Sequence, residues 1–255
     1  MKRVEVFQFS TWSRTPVFLR RMTDEFLDFI VGSVRANHPF LPLLRELFGQ
    51  IRPVRSVTVE EALGGGGPAH IGRELRTLQS EEFHWIMRDG FRDDERARFL
   101  NDLAGGGLDW SGAAPAPEKP SLGVMINSFH RFSGEESLRR LRELAERHDG
   151  LLIGEGNNKS LRQVIGMTLI VPLFILLTSP FIKPFRWSRL FWTYVIPALP
   201  FLIVWDGVAA LFRLHTPEQL LELARRTGRH DYRWRAGKLP NNRGGFIIYL
   251  LGSRR

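Results

Sequence analysis

YRWRAGKLPNNRGGFIIYLL, residues Tyr232–Leu251, is the stretch that decides the fold. Tyr232 to Ala236 and Phe246 to Leu251 are aromatic and apolar runs, and LPNNRGG between them holds a proline, two asparagines and two glycines. Those residues favour turns over helices, and the connection is far shorter than the dozen or more residues that a parallel crossover needs. The two runs must therefore pair antiparallel, as a hairpin.

Toward the N-terminus the pattern changes to alternation. Thr216, Pro217 and Gln219 give a capped helix start, Leu220, Leu221 and Leu223 form its body, and Gly228 closes it. Leu151 to Gly154 reads as a strand. Ser133 to Gly150 reads as a helix, with Ser133 and Glu136 as a capping box, a stripe of Leu138, Leu141, Leu144 and Ala145, and Gly150 as its terminator. Leu122 to Asn127 is a buried strand, and the Ala- and Pro-rich segment Ala113 to Pro120 is a loop before it. Arg92 to Leu103 reads as a helix, and GGGLDW places Asp109 at the end of a third strand. Phe83 to Met87 is a second strand ending at Asp89, His70 to Leu78 a crossover helix, and Val54 to Glu60 the first strand. Strand and helix alternating in this way imply a parallel, doubly wound sheet, so the fold class is α/β, Rossmann-like and mostly parallel, with a C-terminal antiparallel hairpin.

The first strand runs into VTVEEALGGGGPAH, Val57 to His70. Four glycines let the backbone turn sharply and approach a ligand closely, and Pro68 suits a first helical turn. A strand, a glycine turn and a helix present free N–H groups and a positive helix end at the sheet's carboxyl edge, where open α/β sheets bind nucleotides. Asp89, about 20 residues past the glycines, stands where such folds hold ribose hydroxyls. An ordinary surface acid in RDGFRDDERAR is the other reading of it.

Two regions remain. In the N-terminal helical cap, residues 1–50, PVFLRRMTDEFLDFIVGSVR puts Phe18, Met22, Phe26, Phe29 and Ile30 on one helical stripe, and Pro39 to Phe48 repeats the pattern. Within the main domain, residues 51–255, an apolar helical insertion spans 162–212: Val164 to Ile182 is apolar, Lys183 to Arg189 basic and aromatic, and Phe191 to Trp205 apolar again. Pro172 interrupts the first run, and Pro197, Pro200 and Asp206 the second. Two transmembrane spans would carry Lys183, Arg186 and Arg189 to the far side, against the positive-inside tendency. A hairpin lying on the bilayer avoids this, with the basic turn among anionic headgroups and Trp187, Trp192 and Tyr194 at the interface. A soluble helical lid on the sheet is the alternative.

The 255 residues carry a net charge of +9, which suits an anionic partner such as nucleic acid or a lipid surface. The basic residues are dispersed among acids and no aromatic RNA-binding motif is present, so the apolar pattern favours an anionic membrane surface over nucleic acid. The absence of cysteine excludes disulfides, thiolate zinc sites and cysteine nucleophiles, and the seven histidines lack metal-ligand spacing, so no metal site is expected. The start, MKRVEVFQF, lacks the apolar core of a secretory signal.

Together EEALGGGGP, Asp89, Asp109, the strand end INSFHRF, the capped helix HTPEQLLELA and the final hairpin resemble the class I S-adenosylmethionine-dependent methyltransferases. The segment TSPFIKPFRWSRLFWTYVIPALPFLIVWDG further resembles a bacterial branch of that superfamily. The resemblance covers Val54 to the C-terminus. It implies that Glu60 and Gly64, Gly65, Gly66 and Gly67 cradle the methionine part of S-adenosylmethionine, that Asp89 binds the ribose and Asp109 meets the adenine, and that Asn127 at the fourth strand's end lies in the cofactor site. The family's first motif usually has Asp where this chain has Glu60, and a small residue at Leu63. Gly64, Gly66 and Ala69 also satisfy the dinucleotide pattern, which keeps an NAD(P)-binding oxidoreductase open, but a dinucleotide fold continues with parallel strands where this chain ends in a hairpin.

The expected activity is methyl transfer to a small, hydrophobic or lipid-like acceptor, at the cytoplasmic side of a membrane if the insertion lies on lipid and in the cytoplasm if it is a lid. A methyltransferase-like scaffold without turnover is the non-enzymatic alternative. Methyl transfer needs alignment and exclusion of water more than any one residue. If the acceptor must lose a proton, His130, just past the fourth strand, is the candidate base, unless it merely lines the loop; Glu155 at the end of the fifth strand carries the same ambiguity.

Overall fold

The computed structural model describes residues 3–60, 71–76, 82–88, 97–98, 100–102, 106–111, 117–241 and 244–255. Seven strands form one sheet: β1 (Ser56–Glu60), β2 (His84–Arg88), β3 (Leu108–Ser111), β4 (Ser121–Ile126), β5 (Gly150–Glu155), β6 (Tyr232–Pro240) and β7 (Phe246–Arg254). Their order is β3-β2-β1-β4-β5-β7-β6. β1 to β5 run parallel, while β7 pairs antiparallel with both β5 and β6. The sheet is thus the Rossmann-like, mostly parallel one expected, with its antiparallel hairpin lengthened to the Pro240–Phe246 pair. The glycine turn and Asp89 lie outside the described residues.

Every residue of β1, β4 and β5 is buried, because helices cover both faces, and this is why these strands read as near-continuous apolar runs. On one face α2 (Leu41–Gln50), α3 (Gly72–Arg76) and Leu100 pack on Val57, Val59, Trp85, Leu122 and Val124. On the other, α4 (Gly134–Arg147) and α8 (Pro217–Arg226) pack on Met125, Leu151, Ile153, Ile248 and Leu250. The capping box at the start of α8 is present, with Thr216 and Gln219 bonded reciprocally.

Two expected punctuation marks differ. Ser133 is the N-cap of α4 but makes no side-chain cap bond, because its hydroxyl meets Glu5 of the N-terminal segment instead. Gly150 does not end the helix, which stops at Arg147; it opens β5, where a Cβ would lie 2.5 Å from Ile51 and 2.6 Å from Leu122. Asp109 is the second residue of β3, two short of the strand's end at Ser111.

The third core lies above the sheet. The insertion folds as α5 (Leu161–Thr178), a short 3-10 turn, α6 (Trp187–Leu190), a π-helical turn (Phe191–Val195) and α7 (Ala198–Arg213). Met22 and Phe26 of α1 (Val17–Ser33) pack on Ile175, Ile182, Leu199 and Ile203 of this layer. Phe29 and Ile30 join them at its margin, whereas Phe18 turns outward against Trp192. The helices of the first fifty residues thus part company, α2 on the sheet and α1 on the insertion. The segment before α1 is tied to α7: Asp206 accepts from Phe9 N and Ser10 N, both at 2.7 Å, and Trp205 Nε1 donates to Phe7 O at 2.9 Å.

At Gly154 in β5 a Cβ would run into the ring of Phe40, which is wholly buried. Gly154→Val therefore overpacks the first core and is expected to lower stability by about 1–3 kcal/mol. A urea midpoint equal to that of the native chain would contradict this packing.

Candidate functional site

The site is built where β4 and β5 end. Asn127, the residue after β4, takes a left-handed backbone (φ 58°), rare for a residue with a side chain and concentrated at functional turns. It is held there because its N–H donates to Gly154 O (2.8 Å) and its Oδ1 accepts from Gly156 N (2.7 Å). The chain then makes a 3-10 turn, Phe129–Arg131, which brings His130 over the end of β5.

There His130 meets Glu155. The carboxylate accepts from the His130 backbone N–H at 2.9 Å and faces Nδ1 at 3.1 and 3.2 Å, and both side chains are buried. Beside an ionised carboxylate, which can only accept, a neutral imidazole would carry its hydrogen on Nδ1 and keep a lone pair on Nε2. Nε2 makes no hydrogen bond to a described residue. The turn is clamped by Arg213, whose guanidinium donates to His130 O (3.2 Å), Arg131 O (2.5 Å) and Val6 O (3.1 Å), and by Arg3, which donates to Phe132 O at 2.7 Å.

His130, Glu155 and Asn127 form the polar end of a cavity of about 230 Å³. Its other walls are largely apolar: Phe26, Leu27 and Ile30 from α1, and Met167, Val171 and Ile203 from the insertion. Gln8, Ser10 and Asp206 close one side, so the N-terminal segment and the insertion are both structural parts of the cavity. The sequence does not show this: Asp206 reads as an interruption of an apolar run and Arg213 carries no signal there, and only the fold turns them toward backbone groups roughly 80 to 200 residues away.

The remaining candidates lie apart. Glu60 ends β1 with its carboxylate wholly buried and faced by Arg88 (3.3 Å), Arg140 (3.4 Å), Arg147 (3.2 Å) and His148 Nε2 (3.1 Å). Burial pushes its carboxyl up, but the His148 hydrogen bond and the Arg88 charge prevail and hold it below its ordinary value. Glu60 thereby joins the end of β1 to β2 and α4. Asp109 is exposed on β3, and Gly64, Gly65, Gly66, Gly67 and Asp89 lie outside the described residues. Among the described residues no three acid or histidine side chains gather as a metal site would require.

With this geometry in hand the chain can be set beside known proteins. No family model matches it, and no curated protein matches it. Solved structures do. Magnesium protoporphyrin IX methyltransferase (ChlM) from Synechocystis PCC 6803 with bound SAH is 13% identical, with 89% of this chain and 88% of that one covered and a TM-score of 0.48. LepI in complex with SAM is 14% identical over 83% of this chain and 46% of its own, with a TM-score of 0.47, so the chain spans about half of LepI. A Rhodobacter sphaeroides chain named for zinc-dependent alcohol dehydrogenases is 13% identical, with 88% and 98% covered and a TM-score of 0.46. The architecture of this chain rests on its own sheet, whose antiparallel β7 stands between β5 and β6, and not on these likenesses.

Two measurements probe the surroundings of the site. Glu60→Ala leaves three arginines facing one another without their acid and is expected to cost about 3–5 kcal/mol in guanidinium unfolding. His215, whose ring lies 5.4 Å from that of Phe129, is pushed down to about 3 by burial and by the charges of Arg3 and Lys159. Its folded value lies below the unfolded one, so the stability it contributes is present above the unfolded pKa and is lost as pH falls toward about 3. His215→Gln should remove a slope that is about 0.7 kcal/mol per pH unit at pH ~6.5 and approaches about 1.4 by pH ~5. Parallel stability curves for the two proteins across that window would refute the assignment.

Proposed function

We propose that this chain is an S-adenosylmethionine-dependent methyltransferase that methylates a small hydrophobic or lipid-like acceptor, held in the cavity, at or near a membrane surface. The observation that carries the reading is the His130–Glu155 pair set into a cavity with one large apolar wall at the carboxyl edge of this sheet. That edge is where open α/β sheets bind their ligands, and the antiparallel β7 favours a methyltransferase over a dinucleotide-binding oxidoreductase, whose sheet continues parallel.

The described residues fit the cofactor that the resemblance implies. Asn127 gives its Oδ1 to Gly156, while its Nδ2 makes no hydrogen bond to a described residue and so offers a donor where the strand ends. Gly64 to Gly67 and Asp89 would hold the methionine and ribose parts, with Glu60 fixing the strand end from which the glycine turn departs. When bound, S-adenosylmethionine supplies a methyl group on a sulfonium that is ready for in-line displacement.

The chain's own contribution is positioning and one proton. His130 Nε2 takes the proton of an acceptor O–H or N–H as the new bond to carbon forms, and Glu155 holds the ring in the required tautomer and offsets the imidazolium charge. Arg213 and Arg3 keep the His130 turn in place, and the apolar walls exclude water and select a hydrophobic acceptor. In this proposal the acceptor comes from a lipid surface, and the enzyme works at the cytoplasmic side of a membrane as a peripheral or monotopic protein. The apolar helix Leu161–Phe181, 21 residues with only 11% of its apolar window buried, supports that location.

Calorimetry with S-adenosylmethionine is the first test, since a chain that fails to bind it at saturating concentration is not this enzyme. Asp89→Ala should weaken binding by roughly 1–3 kcal/mol. His130→Ala should leave cofactor affinity unchanged and lower kcat by roughly 10²–10⁴-fold in transfer of a labelled methyl group to extracted lipids. An undiminished rate would remove His130 from the chemistry.

A further inference from the structure

The helices that wall the cavity also carry, on their outer side, most of the exposed large apolar residues among the described residues. On α5, Leu169, Ile170, Leu173 and Leu177 are each more than 60% exposed, while Met167 and Val171 of the same helix line the cavity. Beyond α5 the exposed residues continue through Phe181, Phe185 and Trp187 to Phe191 and Val195. The N-terminal segment extends this face. Phe7 and Trp12, both more than 40% exposed, stand with ring centroids 5.7 Å apart; Phe9 joins them to Phe201 (5.9 Å) and Trp205 (6.3 Å) of α7. Phe18, also exposed, sits 5.4 Å from Trp192. An apolar surface of this extent and aromatic content marks an interaction site.

Charge indicates what covers it. Residues 156–205 contain no Asp or Glu but five basic residues, Lys159, Arg162, Lys183, Arg186 and Arg189; residues 6–23 contain no acid and three arginines. Arg14, Arg162 and Lys183 of these are exposed, and exposed cations beside a surface bordered by aromatic residues complement an anionic bilayer. The basic turn itself is not the contact that its sequence suggests, however. Arg189 is fully buried and half-buried Arg186 donates to Glu25 Oε1 at 2.8 Å, with Arg189 on the other oxygen of Glu25, so of the three only Lys183 is fully exposed.

The same contacts argue against a spanning hairpin. α1 lies along the insertion, through Phe26 on Phe174 and Glu25 on Arg189, and it carries Arg20, Arg21, Asp24, Glu25 and Asp28. Carrying that helix into the hydrocarbon core would bury charges that cost several kcal/mol each. In addition, the chain bends by 76° between Trp187–Val195 and Ala198–Arg213, so these helices do not form one straight span.

Resting on the function proposed above, we propose that the N-terminal segment around Phe7, Trp12 and Phe18 and the outer side of the insertion form one monotopic docking face. It enters a single leaflet of an anionic bilayer, so the acceptor cavity lies one layer of side chains from the lipid from which its substrate comes.

The natural absence of cysteine makes the test direct. The intact protein is floated with vesicles of equal phosphatidylglycerol and phosphatidylcholine, and Lys183→Cys, bearing the one thiol, is exposed to a membrane-impermeant maleimide. The expected result is flotation, with full labelling before detergent. Phe7→Glu with Trp12→Glu, and separately Leu169→Glu with Leu173→Glu, should each reduce vesicle binding about tenfold or more, while circular dichroism and cofactor calorimetry stay unchanged. Four outcomes overturn the proposal: no flotation of the intact protein, a thiol that labels only after detergent, loss of binding in the insertion variant alone, or a dimer by light scattering that the insertion variant makes monomeric. Cofactor binding is read independently, so failure here leaves the methyltransferase reading standing, and the reverse holds.

Discussion

The chain leaves the sheet at Glu155, the carboxyl end of β5, and does not return to it until α8. Because β5 is held on one side by β4 and on the other by antiparallel β7, this exit point cannot move, and the residues between Gly156 and Thr216 are confined to the edge where β4 also ends. One topological constraint thus sets three features at once. It puts Glu155 beside the turn that carries His130, raises the apolar insertion over the same edge, and makes that insertion a wall of whatever the edge binds.

Around that constraint the polar contacts divide into two kinds. Backbone-directed ones, from Arg3, Arg213 and Asp206, stitch the N-terminal segment, the His130 turn and α7 into a single unit. Charge-paired ones, Glu25 with Arg186 and Arg189 and Glu60 with its three arginines and His148, join helices to strands or to each other. Buried ion pairs add little net stability once desolvation is counted, but removing one partner is costly, so they specify arrangement more than they add strength. In the Glu25 pair that specificity decides how α1 sits on the insertion, and with it the shape of the cavity.

The insertion consequently has two faces with different duties. Its inner side continues the core and supplies Met167, Val171 and Ile203 to the cavity; its outer side leaves large apolar residues exposed. A helix buried all round would show the apolar composition of α5 without this asymmetry, and so would a membrane span contacting lipid on every side. The asymmetry exists because α1, charged along part of its surface, occupies the inner side.

Much of the fold was legible in the sequence, because the signals are local. Turn chemistry in LPNNRGG dictates the hairpin, periodicity marks the stripes of α4 and α8, and the apolar runs of β1, β4 and β5 follow from burial on both faces. The length of the insertion and the position of His130 just past β4 were also legible, since each depends only on neighbours in the chain. The partners were not. Glu25 and Arg189 are 164 residues apart, Phe9 and Asp206 197, Glu60 and His148 88, and nothing along the chain joins them. Sequence therefore determined which elements form and in what order. Only the tertiary structure decided which charges are paired internally and which remain for a partner, because that choice depends on distances that exist once the sheet has brought its carboxyl edge, α1 and the insertion together.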